Sequence, residues 1–110
     1  MEEIIIQSIN NVYKTLGYGL TELIYQKALT IELRQYFKNI QTEKSVPIVY
    51  KGHEIAVLRA DIIIDDSFIL ELKSITRLST KEELQLRRYL TTLNISNGLL
   101  VNFGKELEIK

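Results

Sequence analysis

Cysteine is absent from this 110-residue chain, histidine occurs once and proline once. Without cysteine there can be no disulfide and no thiolate metal site, which suits a reducing compartment. With His53 alone, a histidine-rich zinc centre or a triad assembled from several histidines is excluded. Any metal must then rest mainly on oxygen ligands, which favour Mg²⁺ or Mn²⁺. An excess of one charge is missing as well, since 14 Lys and Arg balance 14 Asp and Glu. No bulk positive field draws in a polyanion, so a contact with nucleic acid must be local. Nor is there a long hydrophobic run. Ile4-Ile5-Ile6 follows two glutamates and is broken by Gln7 and Ser8, unlike a signal peptide or membrane span. The expectation is a soluble, intracellular protein, cytoplasmic by default, with no membrane partner.

What is present is an ordinary globular composition, 45% hydrophobic and 25% charged, without low complexity, repeat or linker. A chain of this length buries about two-thirds of its unfolded surface. One domain over residues 1–110 is expected. Ile5, Ile9, Val12, Tyr13 and Leu16 recur at helical spacing ahead of Gly17, where a helix stops readily. A second helix is expected from about Leu20 to about Lys38. It should bury Ile24, Tyr25, Ala28, Leu29, Ile31, Leu33 and Tyr36 and leave Gln26, Lys27, Thr30 and Arg34 wet.

Residues 40 to 50 read as a strand, with Pro47 suited to a sheet edge and a turn at Lys51-Gly52. Strands from Glu54 to Ile64 and from Phe68 to Ser74 follow, joined by Asp65-Asp66-Ser67. Leu58, Ala60, Ile62 and Ile64 alternate with Val57 and Ile63, so both faces need cover. Ser79-Thr80-Lys81-Glu82 is a capping box opening a helix with Leu86, Tyr89, Leu90 and Leu93 inside, ending near Asn94. Gly98 to Phe103 reads as a buried strand and Glu106 to Lys110 as a short edge strand. The fold class is α/β, a mixed β-sheet flanked by helices in the order α-α-β-β-β-α-β-β.

The chemistry concentrates at one hairpin. A three-residue loop pairs Ile64 with Phe68, and counting outward puts Asp61 opposite Glu71, with Lys73 on the same face as Glu71. Two carboxylates this close repel in a half-buried sheet, so one stays protonated or a cation sits between them. Mg²⁺ suits such a pair, since it takes one or two carboxylates and leaves room for water and phosphate. Lys73 either stabilises charge that develops on phosphate or neutralises an acid in a structural ion pair.

Glu22 falls beside Leu29 and Leu33 on the helical wheel, as a third acid of the site or as favourable charge in a helix's first turn. Gln85 and Tyr89 lie one turn apart and can meet water, phosphate or an acid, or simply pack. Arg77, Lys81, Arg87 and Arg88 form a modest basic cluster near the same helix, though Arg87 and Arg88 diverge around its circumference. Solvated-face charge is its plain reading. His53 is a loop residue without an assigned role.

The run Gly19-Leu20-Thr21-Glu22-Leu23-Ile24-Tyr25 is a literal GxxExxY. With Arg59-Ala60-Asp61, Glu71-Leu72-Lys73 and Gln85-x-x-x-Tyr89-Leu90 it resembles the GxxExxY family of the PD-(D/E)XK nuclease-like superfamily. The resemblance spans nearly the whole chain, from Lys14-Thr15-Leu16-Gly17 to the run Gly98 to Phe103. It implies a restriction-endonuclease-like core and metal-dependent hydrolysis of phosphodiester bonds. By that resemblance Asp61, Glu71 and Lys73 match the superfamily's acid, second acid and lysine. Glu22 matches its first-helix acid and Gln85 a supporting polar residue, with Tyr25 and Tyr89 in support. The implied metal ligands are Asp61, Glu71 and Glu22, the cofactor magnesium or manganese, and the partner nucleic acid, DNA ahead of RNA. A homodimer or a protein partner would supply targeting. The alternative is a catalytically silent nuclease-like fold that binds nucleic acid or protein, and a third reading is a structural subunit assembling through Leu84 or Leu23.

Overall fold

A computed structural model describes residues 1–110. The elements are α1 Glu2–Leu16, α2 Glu22–Leu33, β1 Ile40–Tyr50, β2 His53–Ile64, β3 Phe68–Lys73, α3 Thr80–Leu93, β4 Asn97–Phe103 and β5 Leu107–Ile109. This is the expected order. The five strands form one sheet in the spatial order β1-β2-β3-β4-β5. Only β3 and β4 are parallel, because α3 carries the chain across the sheet between them. No helix is long and apolar enough to cross a membrane.

Both faces of the sheet are covered. On one, Ile5, Ile9 and Val12 of α1 and Tyr25, Leu29 and Leu33 of α2 pack on Ile62, Ile64, Leu70, Leu72, Val101 and Phe103. On the other, Leu86 and Tyr89 of α3 pack on Val46, Ala60, Ile63, Ile69 and Leu100. Each fully buried aliphatic side chain contributes about 1.5–3 kcal/mol. The capping box forms, the Ser79 hydroxyl donating to Glu82 at 2.8 Å and the Glu82 carboxylate accepting the Ser79 N–H at 3.3 Å. Pro47 lies on β1, an edge strand as expected, and three-residue β5 forms the opposite edge. At the β1–β2 turn Lys51 and Gly52 both have positive φ, 49° and 79°, the two-residue geometry that glycine eases.

Helix α2 departs from expectation in length and facing. It stops at Leu33 in a run of turns rather than reaching Lys38. Gln26 and Thr30 are buried, while Ile24, Ile31 and Tyr36 are exposed. Apolar residues occur all around this helix, so a helical wheel gives no dominant stripe and the packing of Tyr25, Leu29 and Leu33 chooses the face. Thr30 survives burial because its hydroxyl donates to the Gln26 carbonyl at 2.7 Å.

Strand β2 departs in a way that matters more. Leu58 and Ala60 pack on the α3 side, whereas Ile62 and Ile64 pack on the α1/α2 side. A strand of strict alternation would keep all four on one face. The inversion falls at Asp61. Beyond it, β1 and β2 pair only with each other and run out as an arm bearing exposed Val49, Tyr50, Ile55 and Val57.

Candidate active site

The hairpin count places the acids correctly. Ile64 pairs with Phe68, Ile63 with Ile69 and Ile62 with Leu70, which brings Asp61 opposite Glu71. There the backbone ladder stops and the two carboxylates take over its bonds. The Leu72 N–H donates to Asp61 Oδ2 at 2.7 Å, and the Asp61 N–H donates to Glu71 Oε1 at 3.0 Å. Each acid thus fastens the strand of the other. Each also keeps one oxygen, Asp61 Oδ1 and Glu71 Oε2, without a protein donor. Because no buried side-chain oxygen lacks a partner, both free oxygens reach solvent.

This arrangement holds protons. Burial, reinforced by the neighbouring Asp61, pushes the Glu71 carboxyl up to about 8. Burial pushes Asp61 up to about 6, with Glu22 and Glu43 adding to the rise, while the Leu72 N–H and Lys73 oppose it. Two desolvated, mutually repelling carboxylates with open hard oxygens fit a small divalent cation, which would replace the proton. Asp61 and Glu71 are the pair that could hold one, since no group of three acidic or histidine residues stands at metal-holding separation. Glu22 is not grouped with them in this structure, and its charge adds to the rise at Asp61.

The position of Glu22 follows from its loop. Gly19 has φ 100°, a turn glycine makes without strain. The Tyr25 hydroxyl then donates to the Gly17 carbonyl at 2.6 Å and accepts the Leu20 N–H at 3.2 Å, while its ring stacks on Phe103 at 4.3 Å. The Ser74 hydroxyl, next to Lys73, donates to the Leu20 carbonyl at 2.6 Å. Glycine and tyrosine of the GxxExxY run thus fix a loop that presents Glu22 in the first turn of α2. Glu22 is exposed there, contrary to the buried position on the wheel, because α2 turns a different face inward.

Lys73 does not neutralise either acid. The chain's single salt bridge is Lys110 with Glu83 at 3.5 Å. Instead Lys73 Nζ donates to Gln85 Oε1 at 3.0 Å, Gln85 Nε2 donates to the Tyr89 oxygen at 3.2 Å, and the Tyr89 hydroxyl donates to the Arg59 carbonyl at 3.1 Å. This chain of bonds holds the Lys73 ammonium beside the two acids, whose charge it opposes without a direct ion pair. Burial and the two acids keep the Tyr89 phenol protonated, pushing it up to about 12.

Glu43 was missed by the sequence reading. It lies between the pairs Thr42–Ile62 and Lys44–Ala60, facing Asp61 across β1, with φ 51°. A count from the Lys51-Gly52 turn would have put Thr42 there, but a bulge between Ile48 and Val49 shifts the register by one. Lys81 lines one groove of about 740 Å³ with Lys73, and Arg87 and Arg88, which diverge around the helix, both reach its lining. Arg77 does not join them, and His53 lies exposed at the start of β2.

A family model described as the PD-(D/E)XK nuclease superfamily matches residues 1–110. No curated protein matches the chain. Among solved structures it is similar to one titled "Crystal structure of SSO0001", with a TM-score of 0.61 and 24% identity over 79% of this chain. The chain spans 46% of that protein, less than half its length, and the likeness is one of fold. The crossed carboxylates on β2 and β3, the lysine two residues on and the mixed sheet are thus joined by a match along the entire sequence, and the chain belongs to the PD-(D/E)XK nuclease superfamily.

Proposed function

We propose that this protein is a nuclease that hydrolyses phosphodiester bonds in nucleic acid, DNA ahead of RNA, with Mg²⁺ or Mn²⁺ held by Asp61 and Glu71. The observation that carries the reading is the carboxylate pair, locked by backbone bonds yet open through one oxygen each. A structural ion pair would instead bring Lys73 onto an acid, and no such bridge forms.

When bound, the cation supplies Lewis acidity to a phosphoryl oxygen and to water. Lys73 Nζ donates to the phosphate oxygen that gains charge as the water oxygen bonds to phosphorus and the ester oxygen leaves, the water's proton passing through solvent to the departing oxygen. Gln85 fixes the direction of that donor, and Tyr89 fixes Gln85. Glu22 and Glu43 add negative potential, which favours the cation over a bound proton. A homodimer or a protein partner supplies targeting in a chain with no net charge.

Labelled duplex DNA, single-stranded DNA and RNA incubated with the protein in Mg²⁺ or Mn²⁺ test the proposal against Asp61→Asn. Cleavage by wild type, lost in the variant, is expected. Folded wild type that cleaves none of them would favour a nuclease-like module that only binds.

A further inference from the structure

We infer that the groove along α3 is the track for a nucleic-acid strand, with Lys81 and Arg88 holding its phosphates and Lys73 at the catalytic end. Lys73, Lys81, Arg87 and Arg88 line this groove of about 740 Å³, together with Leu58 from the β2 arm and exposed Leu84. No acidic side chain lines it. In a chain where acids and bases balance at 14 each, four cations without an acid form a local positive field that overall charge conceals.

None of the four is spent on an ion pair, since the single salt bridge lies elsewhere. Buried Leu86 and Tyr89 turn the opposite side of α3 into the core, so its basic side faces the trough as a fixed surface. Lys81 and Arg88 are seven residues apart, roughly 10 Å along the helix axis, a reach suited to consecutive phosphates of one strand. Thr91 and Thr92 extend the lining with hydroxyls, which donate to phosphate oxygens without regard to base. Continuity with the site runs through Gln85, which lines the groove and accepts from Lys73 at 3.0 Å. The inference rests on the nuclease reading for what happens at Lys73, but binding in the trough stands apart from cleavage.

A second groove, of about 400 Å³ between α2 and β1, carries Lys27 and Arg34 but also Glu43, which makes it a matched control. Fluorescence anisotropy with labelled single-stranded DNA, duplex DNA and RNA in EDTA at low salt would compare wild type, K81E/R88E and K27E/R34E. Both double variants change the net charge equally, and circular dichroism confirms their folding. K81E/R88E should weaken binding about tenfold or more and lower the salt dependence by about one unit of slope per residue. K27E/R34E should change it far less, and Mn²⁺ affinity should be the same in all three. Equal losses in the two variants, no loss in K81E/R88E, or no wild-type binding to any probe would overturn the inference. An enzyme that cleaves but ignores K81E/R88E would sink the track and leave the nuclease. A protein that binds through the track and never cleaves would do the reverse.

Discussion

The two faces of the sheet bury different things. The cluster of 14 buried hydrophobic residues lies between α1, α2 and the sheet, and its few polar groups end on backbone, Ser8 on the Ile4 carbonyl, Thr30 on that of Gln26 and the Tyr25 hydroxyl on Gly17 and Leu20. Under α3 the buried hydrophobic cluster has eight residues, and beside it stand two neighbouring sets of polar bonds, one of Asp61 and Glu71 with the backbone of β2 and β3, the other of Lys73, Gln85 and the Tyr89 hydroxyl. One face supplies stability. The other holds charges at a cost, which a metal or a proton relieves. β2 serves both because its facing inverts at Asp61.

Substitutions on the two faces should therefore separate activity from stability. The largest effect is expected from Asp61→Asn or Lys73→Ala, lowering cleavage by about 10³-fold or more with the thermal midpoint nearly unchanged. Steady-state kinetics beside thermal melts would check it. Next comes Leu70→Ala on the α1/α2 face, where a fully buried side chain costs about 3 kcal/mol when truncated. Urea denaturation should show that loss, while kcat per folded molecule stays at the wild-type value.

Acidity probes the α3 face alone. Asp61 rises from 3.8 to about 6 and Glu71 from 4.5 to about 8, so between these limits the folded chain keeps protons that the unfolded chain has released. That stabilises the fold at low pH, and the contribution is lost as pH rises through the folded values. Without metal, Glu71→Gln should abolish most of the decline between about pH 6 and 8 and be about 1–2 kcal/mol more stable than wild type at the alkaline end. Urea titrations at several pH values would show it. An unchanged slope would place the cost elsewhere. The smallest effect is expected from Tyr89→Phe, which removes the donor to the Arg59 carbonyl and the acceptor for Gln85. About 1 kcal/mol of stability and about tenfold or less in kcat should go, with Mn²⁺ affinity intact.

How much of this was legible in the sequence depended on local rules. The Asp65-Asp66-Ser67 loop fixes the β2–β3 register by counting, and that alone set Asp61 against Glu71. Capping chemistry located α3 through Ser79 and Glu82, and Pro47 marked an edge strand. What stayed illegible required tertiary packing. The face of α2 is chosen by its neighbours and not by its own stripe, so Glu22 was placed inside and Gln26 outside. The bulge after Ile48 concealed Glu43. Strict alternation missed the inversion at Asp61, where side-chain oxygens replace ladder bonds, and the basic groove emerged only once Lys73 and α3 were brought together.

Calorimetric titration of Mn²⁺ into wild type and Asp61→Asn near pH 7, in buffers of different ionisation enthalpy, tests the site most directly. The expected result is one binding event in wild type that releases about one proton, because the pair is half titrated there, and no such event in the variant. Binding of equal affinity in both proteins, or no binding by folded wild type, would contradict the assignment of Asp61 and Glu71 as a metal-holding pair.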